Sequence, residues 1–254
     1  MGTSQSLNLK TTPNWSSAKK AMTTIVRHRN EVTQPMVRNF LRQLSRAIIT
    51  DSHGSYGRAG GRVARNFIGA ISSVKNGSLQ SYIAQLEPDA NYAQLTVRDV
   101  IVQLAKHLSN PNAEHDHSTL DEIAARAAFE NLLQQIFSEV ETAEDIEQIL
   151  KDATEDQIEG WMIEFQLNYI MELNGVLFDS YIFSKDAEPD QVCREIRDFV
   201  RAAINEACLD NMHHVNFETE EGKQFIETLT QQILEIWSQE PKIRKQSQWQ
   251  SQWQ

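Results

Sequence analysis

The chain begins MGTSQS, which places a glycine directly behind the initiator methionine. Removal of Met1 would leave Gly2 with a free α-amine, a group that ionises near 7.7–8.0 against about 10.4 for a lysine, so much more of it is neutral and nucleophilic at neutral pH. Glycine has no Cβ, and nothing hinders an acyl group approaching that amine. Met1-Gly2-x-x-x-Ser6 also matches the N-myristoylation pattern. Both chemistries make Gly2 an acceptor that another protein modifies.

A second candidate chemistry is electrostatic. Arg38, Arg42 and Arg46 recur at four-residue steps, and Arg58, Arg62 and Arg65 share one face of a further helical segment. Such a face can grip phosphates without reading bases, or it can bind an acidic protein surface. Net charge is −11, but residues 1–75 hold twelve Lys/Arg and only Glu31 and Asp51, so that part carries +10 and the remainder −21. The asymmetry points to nucleic acid, to an acidic partner, or to docking of the basic part on the acidic part of the same chain. A protein interface is favoured over nucleic acid, because the overall negative charge repels polyanions at long range.

Other reactive residue types read as structural. His115 and His117 in AEHDHS sit between Pro111 and a helix cap, and the other adjacent pair, His213 and His214, is nearly a hundred residues away. A solvated loop is the reading, with no metal site. Cys193 and Cys208 are fifteen residues apart in one helical segment, which separates them by roughly 22 Å and fits a reducing compartment. G-x-S-x-G, H-E-x-x-H and C-x-x-C are absent, so no catalytic residue is assigned and the expectation is a protein that is not an enzyme.

The elements that carry these residues read as helices almost throughout. Residues 1–14 form an extended arm, with Ser16 or Ser17 capping a helix to about Arg29. Pro35 opens a second helix through Ile49, with Val37, Leu41, Leu44 and Ile48 on its packing side. SHGSYGRAGGRVARNF, residues 52–67, has glycines at 54, 57, 60 and 61. The spacings Gly57 to Gly61 and Gly60 to Ala64 predict close helix contact; a phosphate loop is disfavoured, since no G-K-[ST] follows. Thr96 with Asp99, Ser118 with Asp121, and Thr154 with Gln157 resemble capping boxes, and another helix runs from Thr142 to about Lys151. Trp161, Phe165, Tyr169 and Leu173 form a core stripe. Val176 to Phe183 is ambiguous between strand and helix, Pro189 starts a helix to about Cys208, and Glu221–Ser238 places Phe225, Leu229, Ile233 and Ile236 inward. The fold class is all-α: the arm, a basic helical segment over 15–77, an acidic helical body over 78–240, and a disordered Gln/Trp tail over 241–254. No apolar run reaches the roughly 20 residues of a membrane span, and no hydrophobic signal core precedes the body, so a cytoplasmic location is expected.

MGTSQS, the arm leading to Trp15, the basic glycine-containing stretch GSYGRAGGRVARNFIGAISSV and the acidic helical remainder together resemble the QatB family of bacterial Qat antiphage defence systems. The resemblance implies operon partners: a QueC-like enzyme, an ATPase and a TatD-like nuclease. It implies that the QueC-like enzyme activates a 7-deazaguanine carboxylate with ATP and conjugates it to the amine of Gly2, while Thr3, Ser4, Gln5 and Ser6 are recognised by that enzyme. ATP, the deazaguanine and any zinc would belong to the partner, and this chain would have no cofactor of its own. The alternatives use the same residues: an N-myristoylated membrane adaptor, or a nucleic-acid-binding protein using the basic half.

Overall fold

The computed structural model describes residues 12–28, 31–51, 57–89, 91–109, 120–181, 193–194, 196–202, 204–205, 216 and 219–239. The body is all-α, and the described residues include no strand. In chain order the helices are α1 (Pro13–Arg27), α2 (Gln34–Asp51), α3 (Arg58–Asn76), α4 (Leu79–Leu86), a 3-10 turn at Tyr92–Gln94, α5 (Val97–Ser109), α6 (Leu120–Ile136), α7 (Ala143–Asp152) and α8 (Glu155–Tyr181). They are followed by α9, helical at the described residues within 193–205, and α10 (Glu220–Ser238). No helix among the described residues is long and apolar enough to cross a membrane.

Local sequence explains most of the boundaries. The Thr96 hydroxyl accepts from the Asp99 N–H while the Asp99 carboxylate accepts from the Thr96 N–H, and Thr142 with Asp145 forms the same reciprocal box. Thr154 and Gln157 do likewise at the start of α8. The first helix departs from expectation: it starts at Pro13, not at Ser16 or Ser17. Thr12 is its cap, accepting from the Trp15 N–H, and proline at the first position needs no donor there. Pro13 and Asn14, read as arm, are therefore the first turn of α1. The ambiguous stretch is helical as far as Tyr181, since α8 continues through it.

α3 lies at the centre, packed against α10, α6, α7, α5, α4 and α8. One hydrophobic cluster runs from Ala18 on α1 to Ile233 on α10, so basic and acidic helices share a core. Its middle is aromatic: Phe67 meets Phe129 edge-on at 5.1 Å, Phe129 meets Phe165 at 6.4 Å, and Phe165 stacks on Tyr169. Burying each such ring contributes roughly 1.5–3 kcal/mol. The expected stripe on α8 holds, with Phe165 and Tyr169 fully buried and Trp161 and Leu173 packed at its margin.

Ile236 departs from the inward assignment and is 52% exposed. The buried residues of α10 include Ile226, Leu229, Thr230, Ile233 and Leu234. At about 100° per residue that face is centred so that Trp237, not Ile236, continues it, and Ile236 falls about 80° to one side.

α9 is tied to α8 by charge. Arg201 donates to Glu164 at 2.7 Å, and Arg197 donates to Glu164 and, at 2.6 Å, to Asn168. Burial pushes the Glu164 carboxyl up, but the hydrogen bonds from Arg201 and Arg197 outweigh it and hold the group below its ordinary value. A lowered folded value means stability that is present above the ordinary carboxylate range and lost as pH falls through the folded value. Amide exchange at residues 196–202, corrected for intrinsic rate, should stay slow at about pH 6 and accelerate relative to α8 below about pH 4. Glu164→Gln should abolish that acid dependence.

Candidate functional site

Gly2 and its neighbours Thr3, Ser4, Gln5 and Ser6 lie outside the described residues, as do both histidine pairs, Cys208, Ser118 and the tail. Among the described residues no three His, Cys, Asp or Glu side chains gather as a metal site. Cys193 is half-buried on α9. The arginine face is described in full, and the fold divides it.

Arg46 donates through Nε to the carbonyl of Ser238 at 2.8 Å, tying the end of α2 to the last turn of α10. Arg42, half-buried, donates to Asn39 on its own helix at 2.8 Å. On α3, Arg62 turns towards α5 and α6, with the Ser109 carbonyl at 3.4 Å and Glu122 at 3.6 Å. Arg65 turns the other way, to Glu227 at 2.9 Å and to Glu220 on α10. The Glu227 hydrogen bond first, and the charges of Glu220 and Glu227 after it, raise the Arg65 pKa. Arg38 and Arg58 are exposed. Thus Arg46, Arg62 and Arg65, at least, join the basic helices to α5, α6 and α10 of the same chain. That is the third of the roles open to a basic face.

The glycine-rich start of α3 is built for approach between helices. Gly57 caps it at φ +74°, a left-handed conformation that favours glycine. A Cβ on Gly60 would stand 2.6 Å from the Tyr169 ring, and one on Gly61 would collide with the Glu227 carbonyl, 2.8 Å from its carbon. The helix end that a phosphate would occupy holds a carboxylate instead. Asp121 of α6 accepts from the Ala59 N–H at 2.9 Å and the Gly57 N–H at 3.3 Å, and the Tyr169 hydroxyl donates to it. Burial first, and then the Asp121 charge and hydrogen bond, push the Tyr169 hydroxyl well above its ordinary value, so it stays a donor.

Asp121 entered the sequence reading as partner of Ser118. Its carboxylate serves a helix more than sixty residues earlier, a pairing that only the tertiary fold creates. Asp121→Ala should leave two helix N–H groups and a buried hydroxyl without their acceptor and cost at least about 3 kcal/mol in urea unfolding, at roughly 1–3 kcal/mol per stranded group. Asp121→Asn retains an acceptor and should lose less.

A shallow depression of about 410 Å³ lies where α6 meets α7, lined by Ile136, Ser138, Glu139, Val140, Asp145, Gln148 and Ile149. None of the arginines lines it.

A family model described as Qat anti-phage system associated protein QatB matches residues 55–237. The matched stretch runs from just before α3 to the last turn of α10, with the arm, α1 and α2 preceding it. No curated protein and no solved structure matches the chain.

Proposed function

The chain belongs to the QatB family of anti-phage defence proteins, and we propose that within its Qat system it is the protein substrate of a QueC-like enzyme and an adaptor for other components. The amine of Gly2 attacks the carbonyl carbon of a 7-deazaguanine carboxylate that the partner has activated with ATP. An amide C–N bond forms, the activating group leaves with the electrons of the broken C–O bond, and the amine proton passes to a base of the partner. This chain supplies the nucleophile and the surface that presents it; ATP, the deazaguanine and any zinc belong to the enzyme. Thr3, Ser4, Gln5 and Ser6 are small or polar, suited to threading a narrow channel and hydrogen-bonding its walls.

The observation that carries this reading is the pairing of an unhindered N-terminal glycine amine with a body whose Arg46, Arg62 and Arg65 are already bonded to its own α10, α5 and α6. That assignment of charge favours a presenting role over phosphate binding by the same arginines. Intact mass after co-expression with the QueC-like enzyme tests it. A purine-sized increment with ultraviolet absorbance, mapped to Gly2, is the expected result. A lipid-sized increment would establish the membrane adaptor instead, and an unmodified chain in a fully defending cell would overturn the proposal.

A further inference from the structure

α7 carries apolar side chains on two sides. Ala143, Ile146 and Leu150 are buried against the core. Ile149 belongs instead to a second row with Asp145, Gln148 and Asp152, spaced three and four residues apart, and that row faces the depression beside α6. Across from it, Ile136 ends α6 and Val140 closes the turn that follows, where its N–H donates to the Phe137 carbonyl at 3.3 Å. Ile136, Val140 and Ile149 are each only partly buried, and together they give the depression an aliphatic lining. α6 packs on α8, α5 and α3, and α7 on α3 and α5, so each helix is held from elsewhere and the space between them stays open.

The rim is acidic. Glu139 and Asp145 line the depression and both are exposed. Asp145 accepts from the Thr142 hydroxyl at 2.7 Å and from its N–H at 3.0 Å, and these bonds hold its carboxyl below the ordinary value, so it is a fixed negative charge at neutral pH. Residues 139–159 hold nine carboxylates and a single base, Lys151, which pairs with Glu147 at 2.6 Å. Arg46, Arg62 and Arg65 do not offset this charge, because they reach α10, α5 and α6.

An aliphatic surface ringed by charge of one sign selects for the opposite sign and against its own. Phosphate-bearing surfaces are repelled here. Lysine and arginine fit, since their aliphatic stems lie along apolar surface while their heads reach the carboxylates. We infer that the depression between α6 and α7 is the docking site for a segment of a partner protein that carries aliphatic side chains flanked by lysine or arginine. This site stands apart from Gly2, and neither reading depends on the other.

The test is a calorimetric titration of the full chain with a synthetic peptide of about 14 residues, leucine and lysine placed at helical spacing. The peptide should bind, and binding should weaken with added salt. Glu139→Lys should weaken it about tenfold, and Ile149→Ala about fivefold. Glu31→Lys, the same change of charge at an exposed site between α1 and α2, should leave it unchanged. A peptide with serine for leucine, or glutamate for lysine, should not bind. Equal binding by the serine peptide, equal loss in Glu31→Lys and Glu139→Lys, or no binding at all would overturn the inference. Displacement of the peptide by spermidine at equal concentration would also overturn it and assign the depression to a small polycation. In cells carrying the complete Qat system, Glu139→Lys should lose phage protection and Glu31→Lys should keep it. Full protection by Glu139→Lys would overturn the inference whatever the peptide does.

Discussion

Gly61→Ala should destabilise the body by about 3 kcal/mol or more, which lowers Tm by roughly 10 °C in a domain of this size. The added methyl points into the Glu227 carbonyl on α10, and both partners are helix backbone. Neither can rotate away. The two helices must separate, loosening Leu229 and Ile233 and stretching the pair between Arg65 and Glu227. Gly60→Ala should be milder, because its methyl meets the rim of the Tyr169 ring, although that ring is stacked on Phe165 and held by Asp121. Gly69→Ala, two turns further along α3, should do the opposite. Nothing lies within 4 Å of its Cβ position, so the substitution gains the helix propensity of alanine, up to about 1 kcal/mol. Thermal melts of the three variants test the packing directly, since the same chemical change is expected to have large, intermediate and reversed effects within one helix.

The glycine pattern shows what could be read from sequence and what could not. The spacing of Gly57, Gly60 and Gly61 pointed to close helix contact, and that contact exists. Nothing local identified the backbone of Glu227 or the ring of Tyr169 as what would fill the space, because both arrive from more than a hundred residues away. Helix starts were legible for the corresponding reason. A box such as Thr96 with Asp99 closes within one turn and needs no tertiary information, whereas Asp121 caps α3 only because α6 and α8 are brought beside it. At Thr12 the local signal was present, a threonine followed by proline, and the two serines after it drew the boundary too late. Ile236 shows a third case. Its periodicity is compatible with an inward position, but a helix's buried face is set by the arc its neighbours cover, and at this end Trp237 takes the centre of that arc.

The arginines follow the same logic. Their spacing showed two basic faces, and the charge asymmetry left nucleic acid, an acidic partner and self-docking as the takers. What separates these is the location of acids, and Glu220 and Glu227 reach Arg65 only because α10 crosses α3 at the glycines. Close approach of the two helices and the pairing of Arg65 with Glu220 and Glu227 are therefore one structural event. A variant that pushes α10 away, such as Gly61→Ala, should also expose charge.

The largest functional effect is expected from blocking the amine of Gly2. A retained initiator methionine or an N-terminal tag leaves no glycine α-amine to attack the activated carboxylate, and conjugation and defence should both fall to background. The helical body should melt as the wild type does, because the apolar side chains of residues 2–11 are only Leu7 and Leu9, and so short a polar stretch has little to bury. Gly2→Ala tests the fit of the channel. It keeps an α-amine and methionine removal but adds a methyl where the enzyme closes round the acceptor, so modification should slow sharply. Deleting residues 2–6 should abolish the product as completely as the block does, again without a change in Tm. Intact mass, with and without the ATP-site residues of the QueC-like partner, reads all of these variants in the same way. Full defence by a chain with a blocked N-terminus would remove Gly2 from the mechanism.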